Sequence, residues 1–204
     1  MSRVILSATI CVLVLGLVGC GKQTLDIIET PELKTALDML EKTNVGKDGL
    51  LTGIYEPLMK DMEEALAADP SNPRPRLMIG IMKEREFKYR EALACYQQVH
   101  REHTNMSEPF IGAGYLYYDV AIGYMALNGQ AKTGKRELLA VFRPDDTARA
   151  ILHESKRLLL KSKEFPIGTN SENGMTSIMF DPVDERLAMI DNHLAKSSDT
   201  PTSK

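Results

Sequence analysis

Tryptophan is absent, cysteine occurs three times, and aromatic residues make up 6% of the chain. Three widely spaced cysteines, Cys11, Cys20 and Cys95, exclude a disulfide scaffold, a paired-cysteine zinc ribbon and a haem-attachment pair. Positive charge is not in excess: 25 Lys and Arg face 28 Asp and Glu, a formal net charge of −3. Without a global basic field the chain is not built to attract nucleic acid or anionic lipid. No alternating apolar and polar run marks a sheet. The nucleophile elbow of hydrolases and the paired-histidine helix of zinc proteases are missing too, so no catalytic constellation is expected.

What is present begins at the N-terminus. Arg3 is followed by an uncharged, mostly apolar run from Val4 to Val18 that ends at small residues. The run is short for a membrane span and has the three-part form of a secretory signal. Its end, Leu17-Val18-Gly19-Cys20, resembles the lipobox of bacterial lipoproteins. That resemblance implies cleavage of residues 1–19 and lipidation of Cys20. Several acyl chains would anchor the protein durably, where one would not. Gly21, in place of Asp, is similar to lipoproteins passed to the outer membrane, implying a domain that faces the periplasm.

Cleavage before Cys20 leaves 185 of the 204 residues and, with Arg3 gone, a net charge of −4 in place of −3. This is enough chain for one domain or a short repeat array. With Cys11 removed and Cys20 acylated, Cys95 has no partner, so the fold must hold without disulfides. The expected organisation is a lipidated tether over residues 20–30, one helical domain over 31–196 and a disordered tail over 197–204.

The pattern along the domain is helical. Thr30-Pro31-Glu32 predicts a helix start, with Leu33, Ala36, Leu37 and Leu40 as its buried side, until Thr43 to Gly46 breaks the run. A second helix is expected from about Tyr55 to Ala67, ahead of Asp69-Pro70. Two more should meet around Phe87 to Tyr89. Later, 135–142 and Asp146 to Lys163 read as helices, the latter with Ile151, Leu152, Leu158 and Leu159 on its packing face. GTNSENG, 168–174, is a turn-rich loop. A last helix from Asp181-Pro182 carries Val183, Leu187, Ile190 and Leu194 on one side. The predicted class is all-α.

A repeat lies within this pattern. Counting Pro73 as the first position, Gly80 stands eighth, Tyr89 seventeenth, Ala92 twentieth and Tyr96 twenty-fourth. This resembles the 34-residue tetratricopeptide repeat, in which a small residue lets two helices cross closely and a large one fills the gap beside it. One unit back, Ala65, Leu66 and Pro70 fall in phase; one unit on, Phe110, Gly114, Tyr117 and Ala126 do. The middle unit matches best. In the first, Asn44, Gly46, Lys47 and Gly49 weaken the opening helix, and in the third, Glu108 to Leu127 can run as one continuous helix. The resemblance implies an antiparallel helix-hairpin array, a short right-handed solenoid, with the last helix as its cap.

Two motifs invite a ligand. GQAKTGKR, Gly129 to Arg136, has the spacing of a phosphate loop, but Arg136 stands where a Ser or Thr should reach Mg²⁺, and no strand precedes it. No nucleotide is expected; the segment reads as a basic connection between helices. Gly112-Ala113-Gly114 begins a dinucleotide-like pattern without its third glycine, and reads as close helix packing. His100 and His103 share a helical face without a third ligand, so they and the single His153 and His193 read as surface residues and no metal is expected. Cys95 reads as structural.

The repeat resemblance points instead to a concave groove. Its lining positions fall on Arg74, Leu77, Ile81, Glu84 and Arg85 in the middle unit, and on Glu108, Ile111, Tyr115, Tyr118 and Asp119 in the third. Arginine forks, carboxylates and tyrosines suit a peptide or an envelope protein as partner. Packing accounts for the same tyrosines equally well, and Tyr117 is expected in the core either way. The function implied is that of a membrane-anchored interaction scaffold needing no cofactor. The alternative is a carrier of a small hydrophobic ligand, enclosed beside the helix that holds Tyr115 to Tyr124.

Overall fold

The computed structural model describes residues 26–43, 55–133, 143–165 and 182–196. All regular structure among these is α-helical: α1 (Pro31–Lys42), α2 (Glu56–Ala68), α3 (Pro73–Arg85), α4 (Tyr89–Glu102), α5 (Glu108–Thr133), α6 (Asp146–Ser162) and α7 (Val183–Ala195). The signal, the tether up to residue 25, Cys20, the predicted helix over 135–142, the GTNSENG loop and the tail lie outside the described residues.

Local chemistry sets the helix starts. The Thr30 hydroxyl accepts a hydrogen bond from the Leu33 N–H at 3.2 Å, and Pro31 fills the first turn of α1. Asn72 caps α3 from the Arg74 N–H at 3.0 Å, and Asp145 caps α6 from the Ala148 N–H at 2.9 Å. The joint between α3 and α4 is three residues long. Phe87 adopts φ 60° there, the left-handed position that lets the Lys88 N–H reach back to the Lys83 carbonyl at 2.8 Å.

Neighbouring helices pack in chain order, and α5 lies at the centre, touching α1, α3, α4, α6 and α7. Its 26 residues run without a break, so the third unit has no turn inside it. In both α3–α4–α5 and α5–α6–α7 the third helix touches both of its predecessors. α1 departs from chain order: it packs on α5 and α6. The Tyr117 hydroxyl donates to the Ile28 carbonyl just ahead of it, and Arg90 of α4 pairs with Glu29, Asp38 and Glu41.

Small residues on α5 admit these neighbours. A Cβ on Gly80 would stand 2.8 Å from the Tyr96 ring and one on Gly112 2.6 Å from the same ring, so Tyr96 is gripped between α3 and α5. Gly114 is equally close to Leu159 of α6, and Ser155 donates to the Gly114 carbonyl at 2.6 Å. The predicted core sides are buried: Leu33, Ala36 and Leu37 of α1, Tyr117 of α5, and Ile151, Leu152, Leu158 and Leu159 of α6 are all 0% exposed. α2 has no buried residue and packs on α3 alone among its closer neighbours.

Candidate functional site

The ten expected groove residues do not share one environment. Arg74 and Arg85 are exposed at opposite ends of α3, Ile81 and Glu84 are partly buried, and Leu77 belongs to the core. On α5, Glu108, Ile111, Tyr115 and Tyr118 are buried and Asp119 is half-exposed. Glu108 sits at the helix start, where its carboxylate accepts from the Ser107 hydroxyl at 3.3 Å. The face is therefore largely covered where an open groove was expected. Its centre survives as a compact polar and aromatic cluster.

Helical spacing builds that cluster. Tyr115, Tyr118 and Asp119 stand at i, i+3 and i+4 on α5 and so share a face. Arg186, from the first turn of α7, lies over both rings, its guanidinium carbon 4.8 Å from the Tyr115 centroid and 4.6 Å from that of Tyr118. One of its nitrogens is 3.5 Å from the Asp119 carboxylate. Both ring distances are in the range of cation–π attraction. The His193 ring is 6.1 Å from that of Tyr118, and loss of water together with Lys196 holds its imidazole below the usual range.

Beside this assembly, Glu84 accepts a hydrogen bond from the Tyr96 hydroxyl at 2.8 Å. Burial, reinforced by the negative charge of Asp119, pushes the Glu84 carboxyl up to about 8, against the bond from Tyr96 and the charges of Arg85 and Arg186. Burial likewise raises the Tyr96 and Tyr89 hydroxyls. At neutral pH Glu84 is therefore mainly an uncharged acid next to the Asp119 carboxylate. The pair can host a positive group, but no nucleophile is paired with a base here in the manner of covalent catalysis.

The repeat spacing locates Tyr96 and Tyr89 by their packing positions but carries no sign of the bond from Tyr96 to Glu84. Arg186 is the functional residue that the repeat pattern omits. The signal was there: Val183, Arg186, Ile190 and His193 fall at i, i+3, i+7 and i+10, so the arginine and histidine border the apolar side of α7.

Gly129 to Thr133 end α5, so the phosphate-loop spacing begins at a helix C-terminus, where carbonyls and not N–H groups are in surplus. Gly134, Lys135 and Arg136 lie outside the described residues. Gly112 and Gly114 serve helix packing, as expected. The His100 ring meets Phe110 edge-on at 4.6 Å, and Phe110 stacks on Phe165 at 5.3 Å. Burial holds the His100 imidazole low and pushes the Cys95 thiol up, away from thiolate reactivity. No group of three or more His, Cys, Asp and Glu among the described residues could hold a metal ion, and no helix among them is long and apolar enough to cross a membrane. No family model matches the chain, and neither a curated protein nor a solved structure resembles it closely enough to count as a match.

Proposed function

We propose that this chain is a lipid-anchored protein of the bacterial envelope that holds a partner protein on the face shared by α3, α5 and α7, without chemistry of its own. Cys20 would carry the lipid and confine the domain to a membrane surface, the periplasmic side of the outer membrane. Confinement raises the effective concentration of the protein for partners on that surface. The observation that carries the reading is the assembly of Tyr115, Tyr118, Asp119 and Arg186, with Glu84 beside it. Rigid tyrosines and an arginine beside acids are residue types that concentrate binding energy at interfaces.

Photo-crosslinking in intact envelopes tests it. Tyr118 is 5% exposed and is a poor site for the probe, so the crosslinker belongs at exposed Arg85, with exposed His153 on α6 as control. A discrete protein captured from Arg85 and not from His153 is the expected result; equal capture from both overturns the reading. Anchoring is tested separately: Cys20→Ser should abolish incorporation of labelled palmitate and release the protein from membranes.

A second reading is a carrier of a hydrophobic ligand, which needs the unbroken course of α5 together with a closed cavity beside it. A small molecule released on native extraction of the purified protein, with no protein captured from Arg85, would establish the carrier instead.

A further inference from the structure

We propose that Tyr115, Tyr118 and Asp119 form a guanidinium-recognition site, which Arg186 fills within the chain and which an arginine of a bound partner segment takes over. The proposal rests on the scaffold reading and names the chemistry of its partner. Two tyrosine rings and a carboxylate on one helical face already hold a guanidinium, so the geometry of the site fits that group.

The occupant comes from a helix with a small apolar footprint: α7 buries Leu187 and Ile190, with Val183 and Leu194 partly covered. Its ion pairs to α6 and the residue after it, Lys156 to Asp191 and Lys163 to Asp184, both at 2.5 Å, are largely solvent-exposed and therefore weak. Asp119, by contrast, keeps 44% of its side chain open, so the carboxylate can be approached from solvent while Arg186 is still in place. An incoming arginine can therefore meet Asp119 first and reach the two rings, 7% and 5% exposed, once Arg186 leaves them. Glu84, mainly uncharged beside Asp119, is a second acid that can ionise as more positive charge arrives. The net negative charge of the chain favours a partner segment that carries cations.

The decisive variant is Arg186→Gln, which keeps an alkyl stem near the rings and removes the charge, made in the full chain in detergent. The probes are N-acetylarginine amide and its uncharged isostere N-acetylcitrulline amide. At a tenfold excess over its Kd the arginine probe should raise the Tm of the variant by about 4 °C, and the citrulline probe should not. Adding Asp119→Asn should remove the response. A folded Arg186→Gln protein that responds equally to both amides, or to neither, overturns the proposal. If that variant does not fold, the same two amides applied to the wild-type chain decide by hydrogen exchange. Faster exchange of α7 amides with the arginine probe alone supports the site, and no difference between the probes overturns it. Capture of a partner from Arg85 without an arginine-specific response would remove the guanidinium site and leave the scaffold standing. The response without any captured partner would uphold the site and remove the scaffold.

Discussion

Tyr96 shows how much one side chain decides. Its ring separates α3 from α5 because Gly80 and Gly112 leave it room, and its hydroxyl reaches Glu84. An added methyl at Gly112 would press on a fully buried ring that is also held at its tip, so Gly112→Ala should cost about 1–3 kcal/mol in chemical denaturation. Glu84 imposes a pH dependence. Its carboxyl holds a proton in the folded chain up to about 8, where an unfolded chain releases it near 4.5. The folded state therefore binds more protons between these values, and its stability falls as pH rises from 4.5 through 8. Because the residue is partly exposed, the contribution is on the order of 1–2 kcal/mol, well below the full shift. Urea denaturation at pH 5, 7 and 9 should show this decline in the wild type. Glu84→Gln, which can still accept from Tyr96, should flatten it; an unchanged slope would mean that another group carries the dependence.

Among the elements, α6 and α7 differ in how firmly they are held. Asp145 caps α6 and also accepts from Asn128 at 2.7 Å and Tyr124 at 3.2 Å, tying the cap to α5. Asp145→Ala should lower global stability by about 1–2 kcal/mol, read as a shift of the denaturation midpoint. α7 stands on two buried side chains. Ile190→Ala, at a fully buried position, removes a contact of about 2–4 kcal/mol. That loss should open α7 before the rest of the domain, so fast hydrogen exchange is expected in α7 while α5 and α6 stay protected. Uniform loss of protection would show instead that α7 is part of one cooperative unit. Phe87 is an element-scale surprise: the turn after α3 uses a left-handed position that glycine usually fills, and nothing in the residue type announces it.

For the whole molecule, the lack of a disulfide among the described residues has a direct consequence. Cys95 is a free thiol with its pKa raised by burial, so stability rests on the packing around α5. Dithiothreitol should leave the Tm of the purified protein unchanged, whereas a drop would reveal a disulfide that bears on the fold. The placement of α1 is the larger point. Its amphipathic pattern requires a partner but does not say which, and it lies on α5 and α6, far along the chain. Ile28, accepting from Tyr117, and Arg90, pairing with three acids near or on α1, record that choice. Both contacts join residues more than 40 positions apart, beyond the reach of any local pattern.

What the sequence by itself determined is whatever depends on neighbours one or two turns away. Caps at Thr30, Asn72 and Asp145, the buried sides of α1 and α6, and the unbroken α5 all follow from such local rules. Only the tertiary structure decided which faces meet. It covered much of the expected groove, brought Arg186 of α7 onto the tyrosines of α5, and left Glu84 holding a proton next to Asp119. The physical reason is that capping and periodicity act through the backbone of one helix, whereas desolvation and the pairing of charges depend on everything packed around a group, wherever in the chain it comes from.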